Sequence, residues 1–487
     1  MSYLSLTFAG FVILSLVLYY TVPAKLRWGV LLAASLFFYG CFDLRYLVFL
    51  LSAAATTYAC ARLVEKTKRK KWLVGGCIAL NAGVWFVIKE LPWLFTTAVR
   101  VLDRSGLHWD APTLSLLVPV GLSYFTLQAI AYLIDVAKGK VEAQRNFFQY
   151  LLFLSWFPAI VQGPISRYDQ LMPRLLHTNK FSYEGMRHAA LLVLFGLVKK
   201  MVIADRLGIL ANHCFGNYED LSGIVLYLGV VAYSIQLYAD FSGCVDLGRG
   251  VSGLFGVDMV QNFDRPYQSR SVKEFWSRWH MSLSGWLKDY IYIPLGGNRK
   301  GTFRKYLNIT VTFLVSGLWH GAGFNFFLWG LMHAAYQIIG ELTLPFRKNV
   351  KQLIGMKEGS ASERICQTVI TFHLVALAWI VFRAGGLATG IDYIRNMLTT
   401  FNPWVLVDST LFRLGLSQNH LVFLVAHIVL LLHIQHRFPR QEDTLRGVLD
   451  AHLVLRWIIY LVLIFDVLLF GVYGKGYDMG SFMYGGF

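Results

Sequence analysis

Apolar residues run along this chain in long blocks separated by short polar segments, and the first block, Tyr3 to Tyr20, carries no charge. Further blocks lie near residues 27–42, 46–61, 72–88, 114–136, 149–163, 188–204, 222–239, 306–319, 322–340, 366–382, 420–434 and 453–472. A helix rising ~1.5 Å per residue needs roughly 20 residues to cross a ~30 Å hydrocarbon core, so the pattern predicts an all-α polytopic membrane protein. Some blocks are short for a crossing. The block 149–163, followed by Pro164, reads as a re-entrant helix sheltered by its neighbours.

Polar positions set the orientation. The loop Arg62 to Lys71 holds six basic residues (Arg62, Lys66, Lys68, Arg69, Lys70, Lys71) against Glu65, which places it in the cytoplasm and the N-terminus outside. The stretch Asp240 to Lys305, with ten Lys or Arg and six Asp or Glu, is the least membrane-like part and is expected mostly on the cytoplasmic face. Within it Phe275, Trp276, Trp279, Leu283, Trp286, Leu287 and Tyr290 recur at helical spacing, predicting one amphipathic interfacial helix anchored by its tryptophans. No fixed-period repeat interrupts the chain, and residues 1–487 are expected to form a single domain.

Composition agrees: 56% of the 487 residues are hydrophobic and 15% charged, too much apolar surface for one water-soluble core. The net charge of +17 is the Lys/Arg excess of cytoplasmic loops beside anionic lipid, and no polar domain is present to hold nucleic acid. The six cysteines lie far apart with no C-x-x-C pair and read as packing residues. With no basic residue before it and no small-residue cleavage pattern after it, the first block is expected to be retained as a span.

Candidate chemistry gathers between residues 262 and 323. Asn262-Phe-Asp-Arg-Pro-Tyr267, Glu274-Phe-Trp-Ser-Arg-Trp-His280 and Trp286 to Arg299 crowd aromatic, basic and polar groups beside a membrane. Ser316-Gly-Leu-Trp-His-Gly-Ala-Gly323 then sets His320 between two apolar runs. An ionisable group at depth in a bilayer is expensive and marks a functional candidate, and a neutral imidazole there is a ready general base. The glycines at 317, 321 and 323 allow close approach of helices or substrate.

These strings resemble the signature of the membrane-bound O-acyltransferase family in its bacterial branch, which includes alginate, peptidoglycan and cellulose O-acetylation proteins and the teichoic acid D-alanylation protein. The resemblance covers most of the chain, including Phe482-Met-Tyr-Gly-Gly-Phe487. It implies a ring of about 11–13 transmembrane and re-entrant helices around a central tunnel or funnel, and residence in the cytoplasmic (inner) membrane. His320 matches the family's invariant histidine and His280 the second histidine of the branch. It further implies relay of an acyl group from a cytoplasmic thioester, acetyl-CoA or a phosphopantetheine-linked acyl carrier protein, to an acceptor presented outside. In the acetylating branch the partner is an extracytoplasmic SGNH-type acetyltransferase.

Plainer readings stand beside these. His320 and His280 are also readable as hydrogen-bonded structural histidines. Asp240, Asp246 and Asp289 are expected either to orient His280 or to pair with Arg278 and Arg299. Gly296-Gly297-Asn298-Arg299 is either a phosphate cradle, with Asn298 and Arg299 contacting the donor, or a tight turn after Pro294. His427, His433 and His436 on one late block read as bundle histidines unaccompanied by carboxylate, not as a metal site. The rival function from another class is a transporter with an intramembrane histidine proton relay, but transporters usually distribute polar motifs over two related halves, whereas here they sit in one stretch. D-alanyl transfer to teichoic acid is the alternative within the same fold.

Overall fold

The computed structural model describes residues 1–107, 114–438 and 440–473, so the motif at 482–487 lies outside the described residues. Every regular element among the described residues is a helix. Each apolar block contains one. The block at 114–136 turns helical only at Leu122, because Gly121 makes the turn with φ of 76°; a Cβ there would lie 2.2 Å from the Ile160 carbonyl oxygen. The block at 149–163 is a helix Phe147–Ser155 that breaks at Trp156, which has extended ψ, before a short turn Phe157–Ile160.

Six helices are long and apolar enough to cross a membrane by length and composition: Leu44–Val64, Lys70–Lys89, Gly223–Leu254, Ala361–Arg383, Gln418–Arg437 and Leu453–Phe470. Gln418–Arg437 and Leu453–Phe470 present Val422, Val425, Leu468 and Leu469 outward, an arrangement costly in water and natural in hydrocarbon. Gly223–Leu254 is mostly buried inside the protein instead. The pair Gly301–His320 and Phe324–Leu342 is less apolar because Asn308, Ser316, His320, Asn325 and His333 are buried along it.

The described residues fall into two compact units. The first joins residues 1–193 with 245–260. Its core is aromatic: Tyr3, Phe8, Phe38 and Phe157 pack at ring separations of 4.9–6.4 Å, and Tyr132 lies 4.6 Å from Tyr150, whose hydroxyl is 2.8 Å from that of Thr57. Ser252 accepts the Trp156 indole N–H at 3.1 Å and donates to the Val257 carbonyl, which satisfies buried polar atoms within the unit.

The second unit joins residues 194–244 with 261–473 and holds both candidate histidines. Gly301–His320 and Phe324–Leu342 form a tight hairpin. A Cβ on Gly317 would lie 2.3 Å from the Phe326 carbonyl oxygen, and one on Gly330 2.5 Å from that of Phe313, so glycine on both faces lets the backbones touch.

The expected interfacial helix is not continuous. Val272–Arg278 ends at Trp279, His280 is left-handed, and Met281–Leu287 restarts before a π-helical turn, Lys288–Tyr292. Its tryptophans are not membrane anchors either, since Trp276, Trp279 and Trp286 are buried inside the protein. The periodicity reported burial correctly and mistook what buried it. The start of the polar stretch, Asp240 to Leu254, likewise continues the Gly223–Leu254 helix.

Replacing Gly317 or Gly330 by Ala should cost about 1–3 kcal/mol through overpacking of the hairpin. The check is a melting temperature of the purified protein in detergent, and an unchanged value would show that the hairpin has slack.

Candidate active site

His320 is the last residue of Gly301–His320 and is 2% exposed. Its ring lies edge-on to Trp319, Trp329 and Phe382 at 4.9, 5.0 and 5.5 Å. The helix stops because Gly321 is extended and Gly323 takes φ of 153°, which turns the chain into the next helix.

His280 is fully buried and joins the same cluster, with Phe241 at 4.8 Å and Trp319 at 5.8 Å. Trp319 thus touches both histidines. Forty residues separate them in the chain, and one indole brings them into one neighbourhood.

Among the described residues, the non-glycine positions with left-handed backbone are Arg265 and His280. Such strain persists only where surrounding structure over-determines it. Here the two motifs are fastened to each other: Met281 N–H donates to the Asn262 carbonyl, Ser282 N–H to Asn262 Oδ1, and Asp264 N–H to the Arg278 carbonyl, each at 2.9 Å. Tyr267 closes the segment by donating to the Ser234 carbonyl at 2.6 Å.

Asn262 also faces the His280 ring: its Nδ2 lies 3.2 Å and its Oδ1 3.4 Å from Nδ1, while Oδ1 accepts the Ser282 N–H. Burial pushes the His280 imidazole down from 6.5 to about 3, so the ring is neutral at physiological pH.

The other candidates disperse. Arg278 pairs with Glu274 at 2.7 Å, Asp240 with the buried Lys200, and Asp246 with Arg249 at 3.5 Å. Lys200 also meets Asp205 at 2.8 Å and lies in a π-helical stretch, Val198–Ala204. Gly296 to Arg299 is a turn: the N–H groups of Gly296, Gly297 and Arg299 donate to the carbonyls of Ile293, Tyr292 and Gly296. That leaves no backbone cradle there, although the Asn298 and Arg299 side chains are exposed. His427 does have a carboxylate beside it, Asp466 at 3.1 Å, contrary to the sequence expectation. No cluster of three metal-ligating side chains occurs among the described residues.

Sequence reasoning left out Trp319, Asn262 and His333. Asn262 and Trp319 lay inside quoted motifs without a role. His333 is fully buried, accepts the Trp276 indole N–H at 3.1 Å and packs 4.9 Å from Trp329, with no signal beyond its place in an apolar helix.

Two buried histidines meeting on one tryptophan in an all-helical chain with membrane-length spans suit acid–base chemistry, and the comparisons with known proteins give the class, a polytopic membrane acyltransferase. The model of the MBOAT, membrane-bound O-acyltransferase family matches residues 29–381, and this chain belongs to that family. It is 33% identical over 434 residues to a probable alginate O-acetylase AlgI of Pseudomonas aeruginosa, covering 87% of this chain and 79% of the relative. A peptidoglycan O-acetyltransferase of Helicobacter pylori is 33% identical over 403 residues, 76% of this chain and 73% of the relative. A teichoic acid D-alanyltransferase of Bacillus subtilis is 27% identical over 282 residues, 56% of this chain and 70% of the relative.

A pH experiment tests the neutral, buried His280. Above pH 6.5 neither folded nor unfolded imidazole carries a proton; as pH falls from 6.5 toward about 3, only the unfolded chain takes one up, and stability is lost. The loss attributable to this group is at most about 1.4 kcal/mol per pH unit. His280→Asn, which tolerates left-handed backbone, should show a flatter decline of melting temperature between pH 7 and 4.5 than wild type. Parallel declines would mean the ring is reachable by protons in the folded state.

Proposed function

We propose that this acyltransferase is an O-acetyltransferase that passes an acetyl group from a cytoplasmic thioester across the inner membrane for O-acetylation of a cell-surface or extracellular polysaccharide such as alginate. The observation that carries the reading is the meeting of His320 and His280 on the two contacts of Trp319, in a dry aromatic enclosure. The relatives named for O-acetylation match more of the chain, at higher identity, than the D-alanyltransferase does, which favours acetyl over D-alanyl.

His320 acts as general base. It takes the proton of the acceptor hydroxyl as that oxygen attacks the thioester carbonyl, and returns it to the departing thiolate as the C–S bond breaks. His280, buried against the same indole, supplies a hydrogen bond to the thioester rather than a second base. The donor is acetyl-CoA or a phosphopantetheine-bound acyl carrier protein, with the exposed Asn298 and Arg299 side chains available to its phosphates. An extracytoplasmic SGNH-type acetyltransferase receives the acetyl group, and residues 1–487 work as one catalytic domain.

The test is thioester turnover in nanodiscs, following free thiol with acetyl-CoA supplied. His320→Ala should lower release by about 100-fold or more while the protein remains monodisperse. If wild type releases no thiol from acetyl-CoA or from an acyl carrier thioester, even with an extracytoplasmic partner added, the proposal fails.

A further inference from the structure

His333 is not among the residues that carry the proposed transfer, yet it is fully buried on Phe324–Leu342, one turn beyond Trp329, the indole that packs on the His320 ring. A buried imidazole carries a desolvation cost that leucine or phenylalanine at the same place would not, so its polar contacts are what offset that cost.

One ring nitrogen is fixed by its partner. Trp276 Nε1–H donates to His333 Nδ1 at 3.1 Å, and an indole nitrogen only donates, so Nδ1 is unprotonated and the neutral ring carries its hydrogen on Nε2. That Nε2 is buried without a hydrogen-bond partner among the described residues. His333 therefore serves as an acceptor for one indole, and its own N–H is left over.

The bond joins the two motifs of the site. Trp276 belongs to Val272–Arg278, the short helix that leads into His280, and stands four residues ahead of that histidine. On the hairpin side, Trp329 is edge-on to both His333, at 4.9 Å, and His320, at 5.0 Å. Trp276 and Trp329 meet with ring centroids 5.6 Å apart, and Phe313 from the first arm of the hairpin closes the group, 5.4 Å from Trp276 and 6.0 Å from His333. Ring contacts of this kind are broad in direction, whereas a hydrogen bond between two buried rings sets one register.

We infer that His333 is a positioning residue for the His280–His320 pair. Through Trp276 and Trp329 it holds the helix that leads into His280 against the hairpin that carries His320. Its effect on rate rests on the acyltransfer reading; its hold on the two motifs does not. Misplacement by ~1 Å from a change remote from the chemistry costs up to about 100-fold in rate, which is the scale expected here.

Three variants of the full chain in nanodiscs test this. His333→Phe keeps a ring and removes the acceptor, His333→Gln keeps an acceptor oxygen, and Trp276→Phe removes the donor. With thioester turnover followed as free thiol, His333→Phe should lower kcat by about 10- to 100-fold while KM for the thioester stays within about twofold, and His333→Gln should recover most of that loss. Trp276→Phe should cost as much as His333→Phe, and the double variant no more than either, because all three lack the same bond. A second readout needs no turnover. In protein labelled with 5-fluorotryptophan, the 19F resonance of Trp319, which touches both histidines and is assigned by its loss in Trp319→Phe, should shift in His333→Phe and return in His333→Gln. Additive losses in the double variant, a rate that glutamine does not restore, or a Trp319 resonance that stays in place would each reduce His333 to packing and overturn the inference. If wild type turns over no thioester while the Trp319 shift appears and glutamine reverses it, the positioning role stands and the reaction is discarded.

Discussion

Asn262 is the joint on which the candidate site depends. Its carbonyl and its side-chain oxygen receive the first two N–H groups after His280, and its amide nitrogen meets the imidazole. Through its main chain and its side chain, one buried residue fixes a strained backbone and a helix start together. Removing the amide would leave the Met281 bond in place but strip the Ser282 N–H and the imidazole of this partner, which offsets the desolvation cost of a polar residue in a wholly buried position.

Around that joint the protein spends its polarity where a bilayer tolerates it least. Buried asparagine, serine and histidine side chains lower the apolar character of the 301–342 hairpin, while the two late spans at 418–437 and 453–470 remain almost wholly hydrocarbon-facing. Helices near chemistry are held by neighbours, and helices at the rim by lipid. The buried Lys200, shared by Asp205 and Asp240, follows a related rule: a charge inside the protein is kept with opposite charge in contact.

Much of this was legible in the sequence, and the failures have a common cause. Apolar block length located the helices, and the Ser316 to Gly323 string located both His320 and Gly317, one of the two glycines at which the hairpin closes. What the pattern could not supply was partner identity. Trp276, Trp279 and Trp286 face something apolar at helical intervals, and protein interior satisfies that spacing as well as lipid does. Asp240 finds Lys200 forty positions away, and His427 finds Asp466 thirty-nine away, because tertiary packing and not local spacing chooses ion partners. The break at His280 was hidden for a related reason: one left-handed residue shifts the helix axis without disturbing the order of apolar and polar side chains.

The position of His320 as the final residue of a 20-residue helix has an electrical consequence. Peptide dipoles along Gly301–His320 add up so that their negative end, about half an elementary charge, falls at the imidazole. Any proton that visits the ring during a reaction arrives at that negative end, inside an enclosure with little water to screen it. In the proposed transfer, the helix that positions the histidine would therefore also steady the imidazolium formed when His320 takes the acceptor proton.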